Sequence, residues 1–115
     1  MGDFYVTARV TGPTGKSEEL RLFVDTGAIF LMLPRAVADR LELRPHRVCA
    51  FQTADNREVT WPVADVRLTL NGDETMTPCA IAPDGDAILG AVALESLLLM
   101  VDPAGQRLLP RKGRL

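Results

Sequence analysis

The chain predicts a mainly β fold, a closed or nearly closed β-barrel with one or two short helices, and three features carry that prediction. Apolar residues alternate with polar ones over several short stretches, the signature of strands with one face in a core. Turn-forming clusters recur at roughly ten-residue intervals. Only two stretches have the composition of helices, and both are short. With 115 residues, 47% of them hydrophobic, residues 1–115 can form one domain around a single core, with no room for a second lobe.

The elements follow in order. Phe4, Val6, Ala8 and Val10 alternate with Tyr5, Thr7 and Arg9, and Thr11-Gly12-Pro13-Thr14-Gly15 turns the chain into a second strand. There Leu20, Leu22 and Val24 alternate with Arg21 and Phe23. Ile29 to Leu33 reads as a third strand. Pro34 then opens a helix running to about Leu43, with Val37, Ala38 and Leu41 on one face, and Arg44-Pro45 ends it. Arg47–Thr53 and Glu58–Val63 are strand-like arms around the polar tip Ala54-Asp55-Asn56-Arg57. Val66, Leu68 and Leu70 lead to Asn71-Gly72, a strong hairpin signal, and Thr75–Ala82 returns with Pro78 marking an edge position. Ala87-Ile88-Leu89-Gly90 is a short apolar run, Ala91 to Leu98 a short helix, and Val101 to Leu109 a last hairpin broken at Pro103-Ala104-Gly105-Gln106.

Phe23-Val24-Asp25-Thr26-Gly27-Ala28 carries the chemistry. It places a carboxylate at the end of an apolar strand, then a hydroxyl, then a residue without Cβ that lets the loop turn and another backbone come close. On the tripeptide alone a second reading stands, in which Asp25 caps a turn and Thr26 bonds locally. Asp84 and Asp86 flank Gly85 in a Pro-Asp-Gly turn with no hydroxyl between them and read as loop residues.

Asp25 to Ala28 followed by Ile88 to Gly90 and a short helix resembles the retropepsin-like aspartic peptidases, most closely their small single-domain bacterial and archaeal members. The resemblance runs from about Tyr5 to Leu109. It implies the acid-protease type of barrel, with the Leu89-Gly90 segment crossing behind the catalytic loop and the hairpin tip at Thr53, Ala54, Asp55 and Asn56 acting as a flap. It also implies an aspartic endopeptidase with Asp25 as the catalytic group and Thr26, Gly27 and Ala28 as the active-site loop. Ile29, Phe30, Ile88, Leu89 and Gly90 become loop supports and apolar substrate walls. The chain has one Asp-Thr-Gly, so the second carboxylate has to come from a second copy in a homodimer. Two such carboxylates share a proton, one taking a proton from water and the other donating to the scissile carbonyl. Thr26 would hydrogen-bond across the interface. Two features depart from the pattern: Ile29 and Phe30 where relatives often carry a polar residue, and a tip without glycine.

Two other function classes stay open at this point. The same fold could serve as a non-catalytic dimerisation or peptide-binding module, or an unrelated β-barrel could carry the motif by coincidence. The partners expected are a second copy and a peptide or protein substrate. The net charge of −2, spread without blocks, argues against a nucleic-acid groove and an anionic membrane surface. Arg107, Arg111, Lys112 and Arg114 read as a solvated tail. No stretch approaches the ~20 apolar residues of a membrane span and no leader pattern opens the chain, so a cytoplasmic location is the default. No cofactor and no metal are expected, because Cys49, Cys79 and His46 have no ligand spacing. Both cysteines read as small core residues and His46 as a surface residue. Trp61 reads as core, with the base of the flap as its other possible place.

Overall fold

A computed structural model describes residues 4–102 and 104–115. The strands are β1 (Tyr5–Thr11), β2 (Ser17–Val24), β3 (Leu31–Pro34), β4 (Arg47–Gln52), β5 (Glu58–Leu70), β6 (Asp73–Ala82), β7 (Ile88–Leu89), β8 (Leu99–Asp102) and β9 (Arg107–Pro110). Two short helices, α1 (Arg35–Arg40) and α2 (Ala91–Ser96), complete the chain.

Seven strands form one sheet in the order β1-β2-β7-β3-β6-β5-β4, and β1 pairs again with β5 at Arg9↔Thr69 through Thr11↔Arg67. That second pairing closes a ring of six strands and leaves β4 outside it. Alternation explains the interior: Ala8, Val10, Leu22, Val24, Leu31, Leu33, Val66, Leu68 and Leu89 all turn inward and are buried. Strand β5 has two roles. Its first half pairs with β4 from Gln52↔Glu58 to Arg47↔Val63, and its second half pairs with β6 from Val63↔Ala80 to Leu70↔Asp73. The second hairpin arm and the following strand, which the sequence suggests as two stretches, are one continuous strand of 13 residues.

Several expectations are corrected. Strand β3 begins at Leu31 rather than Ile29, because the Ile29 carbonyl accepts the Val92 amide instead of joining a ladder. Helix α1 stops at Arg40 rather than near Leu43. Glu42 takes a left-handed φ of 55°, Leu43 N–H bonds to Ala38 O and Glu42 N–H to Asp39 O, a closure that satisfies the last carbonyls. Helix α2 likewise ends at Ser96, with Leu98 at φ 55°. Strand β6 is interior, between β3 and β5, not an edge. Pro78 is tolerated there because pairing with β3 starts only at Cys79, so one side of Pro78 has no ladder to supply. The final hairpin, β8 with β9, starts at Leu99. Pro103, assigned to its turn, lies outside the described residues.

Cys79 is fully buried, as expected, and burial pushes its thiol up to about 12. Cys49 is not a core residue. It sits half-buried on β4, which stands outside the ring, and both thiols are free. His46 is exposed and its Nε2 lies 3.2 Å from Asp65 Oδ1. Among the described residues no helix is long and apolar enough to cross a membrane.

Candidate active site

Strand β2 ends at Val24, whose side chain is buried and whose amide bonds to Phe4 O at 3.0 Å. Anchoring Val24 inward puts Asp25 on the other side, at the mouth of the loop, where it is half-buried. The Asp25 amide donates to Leu89 O at 3.0 Å and the Asp25 carbonyl accepts from Ala28 N–H at 3.2 Å, which closes a tight turn. Within that turn the Gly27 amide donates to Asp25 Oδ1 at 2.9 Å. A methyl group at position 27 would lie 3.2 Å from that oxygen, so glycine keeps the space around the carboxylate open.

The β7 to α2 segment braces the loop from behind. Strand β7 lies between β2 and β3, parallel to one (Phe23↔Ile88, Val24↔Leu89) and antiparallel to the other (Met32↔Ile88). Helix α2 has no side-chain cap. Its first amides, which lack intrahelical acceptors, go instead to the loop: Ala91 N–H to Ala28 O at 2.8 Å and Val92 N–H to Ile29 O at 2.9 Å. Gly90 makes this approach possible, because a methyl group there would fall 2.5 Å from Phe30 O and 2.7 Å from Ala28 O. Asp25 to Phe30 and Ile88 to Gly90 are therefore one unit in space.

Within that unit the side chains divide. Thr26 and Gly27 are exposed, Ile29 is 56% exposed, and Ala28, Phe30 and Ile88 are half-buried. Leu89 is fully buried, so it supports the loop through its carbonyl and the core and offers no wall to a substrate. The hydrogen bonds described for Thr53, Asp55 and Asn56 stay within the hairpin turn and its flanks, with Thr53 N–H to Arg57 O and Asn56 N–H to Thr53 O both at 2.9 Å. Asn56 fills the left-handed position, at φ 64°, that glycine would otherwise take. Thr53 Oγ1 bonds the Asp55 carboxylate, and Arg57 Nε lies 3.0 Å from its Oδ2. The Thr53 bond first, and then Arg57, hold Asp55 below its ordinary range.

Two groups of residues complete the surroundings; the sequence reading misses Tyr5, Phe23 and Phe51 in this role and gives Trp61 the base of the hairpin only as its second place. Phe23 shares a face of β2 with Asp25, and register sets Tyr5 and Ile88 on either side of it. The Tyr5 and Phe23 ring centroids are 5.4 Å apart, and the Arg21 guanidinium lies 3.9 Å over Tyr5. The signal was present, since Phe23 is two residues before Asp25. The second group is Phe51 and Trp61, on the inner face of the β4–β5 hairpin, with Phe51 5.8 Å from Phe30. Trp61 is half-buried there, at the hairpin rather than in the core. Among the described residues, no group of three or more His, Cys, Asp or Glu is placed to hold a metal ion.

Comparison with known proteins agrees with this architecture. The EIAV protease complexed with the inhibitor HBY-793 superposes with a TM-score of 0.69 at 20% identity, over 84% of this chain and 88% of that one. The solution structure of the simian foamy virus (mac) protease gives 0.58 at 18% identity, over 79% of this chain and 91% of that one. Among curated proteins none matches. The aspartyl protease family profile matches residues 6–93, a span that includes both the Asp25 loop and Gly90. The chain belongs to the aspartyl protease family and has the retropepsin-like fold.

Proposed function

We propose that this chain is an aspartic endopeptidase that hydrolyses peptide bonds with water activated between two Asp25 carboxylates, one from each subunit of a homodimer. The observation that carries the reading is the turn in which the Gly27 amide orients a half-exposed Asp25 carboxylate while Gly90 and α2 fix the backbone behind it. One domain per chain supplies one such carboxylate, so half of an acid–base pair. Two carboxylates in contact cannot both ionise cheaply and share one proton. The ionised member takes a proton from water, and the protonated member donates to the carbonyl oxygen as the tetrahedral intermediate forms. Thr26, exposed beside Asp25, is free to bond across a two-fold axis, where symmetry makes the bond twice. Exposed Ile29 and half-buried Ile88 favour apolar side chains next to the cleaved bond. The substrate is a peptide or protein, and the enzyme works in the cytoplasm without a cofactor.

The test is cleavage of a diverse peptide library by the parent and by Asp25→Asn. The variant keeps an oxygen to accept the Gly27 amide but loses the acid–base group, so activity should fall by roughly 10²–10⁴-fold. Activity per subunit should also fall on dilution as dimers separate. Equal cleavage by both proteins removes Asp25 from the mechanism. A dimer that binds peptides without cutting them identifies the fold as a binding module.

A further inference from the structure

We infer that Phe30, Phe51 and Trp61 are positioning residues, a ladder of three rings that seats the β4–β5 hairpin against the loop carrying Asp25. This rests on the reading of Asp25 as the catalytic group and adds the device that holds a substrate cover in place. The chain has one Trp, one Tyr and four Phe, so three of its few aromatic residues meet at this one seam.

The hairpin has little else to hold it. Strand β4 is the outer edge of the sheet, and above Val63 its partner β5 pairs with β4 alone. Val48, Ala50, Gln52, Glu58 and Thr60 face outward and are exposed. Cys49, Phe51, Val59 and Trp61 face inward and are half-buried. Phe30 meets Phe51 edge-on at 5.8 Å and 81°, and Phe51 meets Trp61 at 6.2 Å and 43°, both within the range of favourable ring pairs. The two ends of the ladder differ in how firmly they are fixed. The Phe30 backbone packs directly against Gly90 at the braced corner, whereas Phe51 belongs to a hairpin whose tip bonds only to its own turn and flanks among the described residues. The braced tip makes the hairpin a stiff arm, and the ladder at its base sets the angle at which it stands against the loop through Phe30.

The experiment uses Phe30→Ala, which removes one rung without touching the hairpin. Trp61 is the only tryptophan, so its quenching by acrylamide reports the seam directly. Cys49 reports the inner face through its rate of reaction with a thiol reagent. Cys79 is the internal control, since it is fully buried with its thiol pushed up to about 12, and reacts only if the ring of strands opens. Phe30→Ala should raise both Trp61 quenching and Cys49 reaction by roughly two- to tenfold, the span expected for loss of one edge-to-face ring pair, with Cys79 still silent. Phe30→Tyr should restore both. KM for peptides should rise more than kcat falls, since the rings hold the cover and do not touch the reacting atoms. If folded Phe30→Ala matches the parent in Trp61 quenching and Cys49 reaction, the ladder does not seat the hairpin. Phe51→Val breaks the same contact from the other side and, because Phe51 also meets Trp61, carries the test through Cys49 reaction if Phe30→Ala does not fold. Neither optical nor thiol readout needs turnover, so a parent that cuts no peptide overturns the Asp25 reading while the ladder is still judged.

Discussion

The two halves of the candidate site are built by opposite means. The Asp25 loop is held by backbone: amides of Asp25, Ala28, Ala91 and Val92 each have a carbonyl partner in the loop or its brace, and Gly90 lets main chain touch main chain. The β4–β5 hairpin has its own backbone ladder, but what joins it to the loop is side chains, a seam of rings at its base, and a Thr53, Asp55 and Arg57 cluster adds to the main-chain bonds of its tip. Backbone bonds fix position whatever the neighbouring side chains, which suits the catalytic role proposed for the Asp25 carboxylate. Side-chain seams can part and re-form, which suits the role of substrate cover proposed for the hairpin.

The comparison breaks most visibly at Gly90. In Gly90→Ala the new methyl meets two carbonyl oxygens of the loop that have no room to retreat, so the fold should lose about 1–3 kcal/mol, the ordinary range for overpacking. A change at the exposed tip, Ala54→Gly, should stay within about 0.5 kcal/mol. Chemical denaturation of both variants decides the matter. Equal losses would mean that the two regions are not built differently.

A change of intermediate size is expected at Thr26. Thr26→Val keeps the shape and deletes the hydroxyl, so a bond across the two-fold axis should be lost at a cost of about 1–3 kcal/mol if its partner stays buried. Sedimentation over a concentration series measures this as a raised dimer dissociation constant. An unchanged constant would show that Thr26 does not bridge subunits. Smaller again is Ala28→Ser, which adds a donor beside the Asp25 turn. A bond to the charged carboxylate favours that form, so the pH–activity bell should move to lower pH with the fold unchanged. The same bell in parent and variant would place residue 28 away from the reacting carboxylates.

What was legible in the sequence follows the same division. Alternation at Leu20, Leu22 and Val24 and the Asn71-Gly72 turn are local patterns, and the strands and hairpin they mark are present. That the Leu89-Gly90 segment lies behind the Asp25 loop was legible only through the family resemblance, carried by Asp25 to Ala28 and Ile88 to Gly90, and the structure joins the two through Asp25 N–H to Leu89 O and the close approach of Gly90 to Ala28 and Phe30. The Phe30, Phe51 and Trp61 seam was not legible, because nothing local distinguishes an aromatic residue that meets a distant strand from one that fills the core. Ile29 and Phe30 were misread as strand for a related reason. They are apolar and follow a strand, but the first turn of α2, about sixty residues later, takes the Ile29 carbonyl. Cys49 was misread as core since alternation gives the inward face of a strand, not whether that face has a core to meet.

The smallest expected effect concerns the tip, and it follows from the sign of one titration. Asp55 is held below the ordinary aspartate value of 3.8, by the Thr53 hydroxyl first and by Arg57 after it. A carboxylate lowered in the folded state adds stability above the unfolded value, and that contribution is lost as pH falls through the lowered one. The tip should therefore stay braced through mildly acid pH and loosen only below the range in which an ordinary aspartate protonates. Asp55 is fully exposed, so solvent screening keeps the effect local. The corner where α2 meets the loop is joined by main-chain bonds that do not titrate over this range, so it should hold while the tip loosens. Carboxyl NMR shifts followed against pH, with amide shifts of Asn56 and Ala91 as the two local reporters, test both statements. In Thr53→Val the Asp55 midpoint should rise towards its ordinary value and the Asn56 shift should move with it, while Ala91 is unaffected. If Asn56 and Ala91 instead respond together at one pH, tip and corner loosen as one body, and the division between a backbone-braced loop and a hairpin joined to it by side chains is wrong.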